Sequence, residues 1–290
     1  MIDASEEHQF SGPVLTPNRF TAFSKFITDT LGIKMPESKR TMLQSRLQKR
    51  LRQLKMKSFN EYYDYVFSSQ GREKELHHLL DVVTTNKTDF FREPRHYEVL
   101  VQTVLPDLLR SGGVGLRKSL KVWSAGCSTG AEPYTLAMVL SDFGERIEGF
   151  NFRILATDIS TRVLDKALAA IYDECDAAPI PLSCKKKYLL RSKDRSQPRI
   201  RVAPELRRLV EFRRLNLMDQ DYGLSEAMEL VFCRNVIIYF DRETQQDVLG
   251  RLCRCLKNGG YLFMGHSETL SGFRLPLRQI AATVYQKCIY

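Results

Sequence analysis

The chemistry-bearing residues of this 290-residue chain gather where apolar runs end. Asp158 follows Ile154-Leu155-Ala156-Thr157, so a carboxylate stands at the carboxyl tip of a strand. In an open α/β sheet that is where an acid accepts hydrogen bonds from the ribose hydroxyls of an adenosine cofactor. The alternative is a cap for the next helix, a role for which Ser160 competes. The turn Ala125-Gly126-Cys127-Ser128-Thr129-Gly130 is made of small residues that let backbone N–H groups approach a ligand beside a helix N-terminus. Tight packing would select the same residues, and the turn does not match the dinucleotide pattern G-x-G-x-x-G. Cys233-Arg234-Asn235 ends a further apolar run, Glu229–Phe232. Donors at a strand tip suit a ligand or a backbone contact, and equally a structural turn. The sequence offers neither a Ser/His/Asp set nor a His/Cys cluster, and Cys253-x-Cys255 lacks a second ligand pair at zinc spacing.

These tips need strands and helices behind them. Ser119–Ser124, Phe152–Ala156, Glu229–Phe232 and Tyr261–Met264 read as strands, with helices over about 131–142, 161–171 and 241–256. Such alternation predicts a parallel sheet with helices on both faces. The stretch of about 179–210, rich in Pro, Ser, Lys and Arg, interrupts the rhythm and reads as a small inserted hairpin or subdomain. Upstream, helical spacing dominates: Phe20, Phe23, Phe26, Ile27 and Leu31 share one face, and Leu43, Leu47, Leu51 and Leu54 another. Residues 18–85 therefore read as an all-α N-terminal domain and 86–290 as the α/β domain. Residues 1–17, with two Pro and no periodicity, read as a disordered tail.

Composition excludes several classes. At 43% hydrophobic and 27% charged, the chain can bury a core and is not largely disordered. No apolar run approaches the ~18 residues of a membrane span, and no secretory signal is evident, so a cytoplasmic protein without membrane insertion is expected. Seven cysteines without a regular framework read as reduced thiols. The formal charge of +10 is uneven: Ser38–Asn60 carries +8 with no acid, and Lys185–Arg214 carries +9, leaving −7 for the rest. On a helix over 38–57 the leucines fill an arc of about 80°, while Lys39, Arg46, Lys49, Arg50 and Lys57 fill a separate arc of about 100°. That predicts one apolar face and one outward basic face, suited to nucleic acid, anionic lipid or an acidic protein surface.

Four segments carry a resemblance. Thr84-Thr85-Asn86-Lys87-Thr88-Asp89-Phe90-Phe91-Arg92, Trp123 to Tyr134, Phe232 to Asp241, and Gly265-His266-Ser267-Glu268 resemble the signatures of the CheR-type chemotaxis receptor methyltransferases, in the same order. The resemblance runs from about Phe20 to the C-terminus. It implies a Rossmann-like S-adenosylmethionine methyltransferase domain with an inserted β-subdomain behind a helical domain, and the activity of a protein-glutamate O-methyltransferase. It also implies cofactor contacts from Asn86, Thr88, Arg92, Glu132, Asp158, Asn216, Leu217, Arg234 and Asn235, and places Arg92 and Tyr239 by the methyl-transfer centre as catalytic residues. The acidic methylation helices of chemoreceptors would then be the partner of Lys39, Arg46, Lys49, Arg50 and Lys57. Gly126-Cys127 stands where alanines are common, and Ala131 where Glu is common. Family members that dock on a receptor's C-terminal pentapeptide carry glycines in the insert loop. Ser192 to Pro198 has none.

The implied step is displacement at a sulfonium methyl by a carboxylate that is ionised at pH 7, with a reference pKa of about 4.3. It calls for no general base and no metal. Nucleic acid is not an expected partner: the place of a D/N-P-P-Y/F segment reads Arg234-Asn235-Val236-Ile237-Ile238-Tyr239, and no Pro-Cys dipeptide exists for cytosine chemistry. A cofactor-binding module without transfer, and an NAD dehydrogenase, are the other classes. The first turn lacks the glycine spacing of the dehydrogenase. A monomer is expected.

Overall fold

A computed structural model describes residues 12–194 and 196–288. They form two compact units, one of residues 12–30 and 34–84, the other of 31–33 and 85–288.

The first unit is helical: α1 (Pro17–Leu31), α2 (Arg40–Leu54), α3 (Phe59–Phe67), α4 (Ser69–Lys74) and α5 (Leu76–Val83). The predicted leucine stripe is buried at Leu43, Leu47 and Leu51. Phe23 meets the Tyr63 ring edge-on at 5.0 Å. Ser58 caps α3 by accepting the Glu61 N–H, while Glu61 accepts the Lys57 N–H. The sequence marks this start as Ser-x-x-Glu, although Glu61 takes the Lys57 N–H and not the Ser58 N–H of a reciprocal capping box.

Two expectations change here. Of the predicted tail, residues 1–11 lie outside the described residues, but 12–17 are not tail-like. Leu15 is buried and its N–H donates to Gln44 Oε1 at 2.8 Å. The basic face of α2 is also not uniformly outward. Arg46 and Arg50 sit next to the leucine stripe on the helical wheel, and their long side chains reach back along it. Arg46 Nη1 donates to the carbonyls of Val83 and Thr84 (2.5 and 3.2 Å), at the C-terminus of α5. A cation there complements the helix dipole. Arg50 grips Glu75 with Nε and Nη2 (2.5 and 2.6 Å), and Tyr62 Oη donates to the same carboxylate at 2.9 Å. Lys39 is half-buried and donates to the Lys34 carbonyl at 3.1 Å. Lys49 and Lys57 are exposed, as are Arg52 and Lys55.

The second unit opens with α6 (Arg95–Val99), a π-helical turn at Leu100–Val104 and α7 (Leu105–Gly112). There follow β1 (Leu120–Ala125), α8 (Ala131–Gly144), β2 (Phe152–Asp158), α9 (Thr161–Ala169), β3 (Ile171–Asp173), α10 (Leu182–Tyr188), β4 (Leu189–Arg191) and β5 (Arg199–Val202). The chain continues through α11 (Pro204–Arg207), β6 (Val210–Arg214), β7 (Met228–Cys233), α12 (Arg242–Cys255), β8 (Leu256–Met264), β9 (Leu277–Ala281) and β10 (Val284–Lys287).

The main sheet runs β6-β2-β1-β7-β8-β10-β9. Its first five strands are parallel, and β10 and β9 close the far edge antiparallel. Leu120 and Val122 of β1 face a core with Tyr134, Leu136 and Leu140 of α8. Trp123 and Ala125 face a second core with Val248, Leu249 and Leu252 of α12. Burial on both faces explains why these strands read as continuous apolar runs. The chain winds outward from β1 in both directions, so the crevice at its carboxyl end is the switch point where such sheets bind ligands.

The inserted sheet is antiparallel, β3-β5-β4. It begins at Ile171, ahead of the expected boundary near 179, because β3 leaves α9 directly and supplies an edge strand. Tyr172 Oη donates to the Thr129 carbonyl (2.7 Å) and Tyr188 Oη to Asp142 (2.6 Å), tying the insert to the first turn and to α8.

Glu75 is 1% exposed, so removing Arg50 would leave a buried, uncompensated carboxylate. Arg50→Ala is expected to lower the unfolding free energy by about 3–5 kcal/mol in a denaturant titration. A loss below about 1 kcal/mol would mark the pair as no better than a surface bridge.

Candidate functional site

The turn after β1 is fixed by backbone geometry. Gly126 has φ +82°, and the N–H groups of Gly126 and Cys127 both donate to the Thr157 carbonyl (2.8 and 2.9 Å). A side chain at 126 would be strained by that φ, and its Cβ would lie 2.5 Å from Val236 Cγ2. Ser128, at φ +49°, donates its N–H to Asp158 Oδ2 at 2.9 Å and its hydroxyl to the Asn86 carbonyl at 2.8 Å. Asp158 Oδ1 accepts the Ser160 N–H at 3.0 Å. The cap of α9 belongs to Ser160, whose hydroxyl accepts the Val163 N–H. Asp158 is therefore a carboxylate pinned at a strand tip, and not the helix cap. At the end of β6, Leu215 donates to the Asp158 carbonyl at 3.0 Å, Asn216 Oδ1 accepts the Met218 N–H, and the Leu217 carbonyl accepts from Tyr222 Oη and Arg251 Nη2.

At the tip of β7, Arg234 is 6% exposed. Its Nη1 donates to Glu132 Oε2 (3.1 Å) and Tyr97 Oη (3.2 Å), and its Nη2 to Glu93 Oε2 (2.9 Å) and the Arg92 carbonyl. Glu132 Oε1 also accepts the Ser124 hydroxyl at 2.7 Å. Burial alone would lower the Arg234 pKa; Glu132, Tyr97 and Glu93 more than offset it and hold the cation. Burial would likewise raise Glu93, but Arg234 keeps it below the usual carboxylate range. Burial and the Arg234 charge push His96 down to about 4, so its ring is neutral at pH 7. The segment so gripped is unusual: Phe91 and Glu93 have φ of +51° and +57°, a region that costs bulky residues about 1–3 kcal/mol. Between them, half-buried Arg92 donates its Nη1 to the Lys87 carbonyl at 3.3 Å.

The next turn hangs on Glu268, which is 3% exposed. Its Oε2 accepts the N–H groups of Gly265 and Asn235, and its Oε1 those of Val236 and Ile237, all at 2.7–2.9 Å. Burial raises the Glu268 pKa, and the four amides pull it back. Asn235, at φ +59°, has a buried Oδ1 with no hydrogen-bond partner among the described residues. Gly265 admits it, since a Cβ there would lie 2.5 Å from Asn235 Nδ2. Tyr239 is half-buried in the short 3₁₀ turn Ile237–Tyr239 that follows.

Hydrogen bonds thus link Asn86, Ser128 and Asp158 in one chain and Arg92, Arg234 and Glu132 in another, while Asn216 and Leu217 follow directly from the Asp158 strand pair. Thr88 is half-buried on the Asn86–Arg92 segment. Lys39, Arg46, Lys49, Arg50 and Lys57 belong to the other unit. Sequence reasoning gave no role to Glu268, Glu93 or Tyr97. The signal available for Glu268 was an acid three residues after a strand-ending glycine.

A parallel sheet with an antiparallel edge, helices on both faces, and an acid pinned at the second strand tip form a Rossmann-like frame suited to an adenosine cofactor. Residues 86–286 match the family described as "CheR methyltransferase, SAM binding domain", and residues 18–84 match "CheR methyltransferase, all-alpha domain". The chain is 37% identical to the chemotaxis protein methyltransferase of Borreliella burgdorferi, over 94% of this chain and 95% of that one. It is 38% identical to chemotaxis protein methyltransferase 2 of Pseudomonas aeruginosa, over 88% and 87%. It is 36% identical to the chemotaxis protein methyltransferase of Escherichia coli, over 93% and 91%. The chain belongs to the CheR methyltransferase family.

Glu268→Gln is close to isosteric but turns an NH₂ toward two of the four amides. Leaving two buried donors unpaired is expected to lower stability by about 2–5 kcal/mol, measured by denaturant unfolding. Unchanged stability would mean the turn holds without its carboxylate.

Proposed function

We propose that this chain methylates glutamate side chains in the cytoplasmic helices of chemoreceptors, using S-adenosylmethionine and giving glutamyl methyl esters for sensory adaptation. One observation carries the cofactor half of this reading: Asn235 Oδ1, a buried acceptor without a partner among the described residues, at a strand tip between two pinned turns. Buried polar groups are rarely left so, and a cationic donor such as an α-ammonium would satisfy it. The family membership over nearly the whole chain supports the substrate half.

In this reading Asp158 accepts the ribose hydroxyls, Asn216 and Leu217 flank the adenine end, and Asn86, Thr88, Glu132, Arg234 and Asn235 line the remainder. When bound, S-adenosylmethionine supplies an electrophilic methyl carbon on a sulfonium. Arg92 and Tyr239 hold the substrate carboxylate in line with it. Because that carboxylate is ionised at pH 7, the residues need only orient it and strip water from it. Orientation of this kind supplies up to roughly 7–11 kcal/mol of a barrier.

The receptor is addressed by exposed Lys49 and Arg52 on α2 and by Lys55 and Lys57, which lie past its end because the helix stops at Leu54 and not at the expected 57. Lys39 lies at the margin of this basic face. Arg46 and Arg50 serve the same face indirectly, by fixing α2 against α5 and Glu75. The site of action is the cytoplasm, where receptor methylation helices lie.

The test incubates the protein with methyl-labelled S-adenosylmethionine and a receptor cytoplasmic fragment. Base-labile label on glutamate is expected; base-stable label, or none, would overturn the reading. Arg92→Ala is expected to cut turnover at least about tenfold. Reversing Lys49 and Lys57 to Glu is expected to slow receptor methylation without changing cofactor affinity, with the difference shrinking as salt rises. Rates insensitive to both reversal and salt would remove the basic face from recognition.

A further inference from the structure

Three side chains beside Arg234 have no part in methyl transfer as described. Glu93 precedes α6, His96 lies in its first turn, and His266 follows β8. One ligand atom from each lies within 4.8 Å of the others. Glu93 Oε2 is 3.4 Å from His96 Nδ1 and 3.9 Å from His266 Nε2. His96 is 1% exposed, and its Nδ1 has no hydrogen-bond partner among the described residues.

The ring's other nitrogen explains what Nδ1 lacks. The Thr283 hydroxyl donates to the Ala282 carbonyl at 2.8 Å, so its oxygen is left to accept from His96 Nε2, also at 2.8 Å. That places the ring proton on Nε2. Nδ1 then presents a bare lone pair to a carboxylate oxygen, an arrangement that repels unless a cation lies between. We infer that Glu93, His96 and His266 form a three-ligand site for a divalent transition-metal ion, with Zn²⁺ the best match to two imidazoles and one carboxylate.

The geometry fits such an ion. Zinc–ligand distances of about 2.0–2.2 Å in a tetrahedron set the ligands about 3.3–3.6 Å apart. The His96–Glu93 spacing already falls there, and His266, 55% exposed, needs only a small rotation. The exposure of His266 leaves the fourth position open to water. Glu93 Oε2 also accepts from Arg234 Nη2 at 2.9 Å, so an ion here shares that carboxylate with the guanidinium. The Thr283 contact is the outer-shell hydrogen bond that metal-bound histidines use to fix their tautomer. The His266 N–H donates to Glu93 Oε1 at 3.2 Å, so the turn after β8 and the start of α6 are already in register.

The site is tested without cofactor or receptor, so its failure would not touch the methyl-transfer reading. The full chain, stripped with a chelator, is titrated with Co²⁺ as a spectroscopic substitute for Zn²⁺. One equivalent should give the intense visible absorption of four-coordinate Co²⁺, and Zn²⁺ should bleach it. His266→Ala, whose 55% exposed side chain meets only the edge of the His96 ring at 5.2 Å, should weaken binding at least about tenfold, and Thr283→Val should weaken it less. No saturable visible band would overturn the site. So would His266→Ala that binds as tightly as the parent, or a near-ultraviolet thiolate band placing the ion on cysteine.

Discussion

A single buried cation organises the carboxyl edge of the sheet. Arg234 stands at the tip of β7 with four partners: two carboxylates, a phenol and the carbonyl of Arg92. An isolated charge at that depth would be expensive, and replacing a satisfied ion pair by apolar residues is often neutral for stability. Stability alone therefore does not account for it. What Arg234 provides is position: it reaches across to the segment before α6 and holds Phe91 and Glu93 where their backbones would not rest on their own.

The same device recurs around the cleft. Ser128 and Asn235 have left-handed backbones like Phe91 and Glu93. Asp158 takes the N–H of Ser128, Glu268 takes the N–H of Asn235, and Arg234 takes the carbonyl between Phe91 and Glu93. Three turns at this edge are thus bent into an unfavourable conformation, each locked by one buried charged side chain. Two of these locks are acids holding amides, and one is a base holding a carbonyl. A site that works by orientation and desolvation, with little proton chemistry, needs such rigidity more than it needs a tuned pKa.

Much of this was legible in the sequence, for physical reasons that differ by residue. Asp158 was readable because a carboxylate closing an apolar run marks the tip of a buried strand, where the chain meets solvent or a ligand. The parallel core was readable because strands buried on both faces show unbroken apolar runs. Arg46 and Arg50 were misplaced because a helical wheel gives direction and not what lies alongside; Glu75 and the end of α5 turned half of the basic face inward. Leu15 looked like tail because a single buried leucine has no periodicity. Glu268 was silent because its partners are backbone amides, which carry no residue signature. Strand β9 is half-exposed and its pairing with β10 is irregular, so this edge lacks the pattern that betrayed the inner strands.

The Arg234 fork, and not merely its charge, holds the segment of residues 91–93 in place. Arg234→Lys keeps the charge and removes the planar fork. Amide hydrogen exchange on this variant addresses the claim most directly. Phe91, Arg92 and Glu93 are expected to exchange at least about tenfold faster, equivalent to ~1.4 kcal/mol of lost local protection, while the β1 and β2 amides stay protected. Exchange at 91–93 that matches the parent, with cofactor affinity also unchanged, would contradict it.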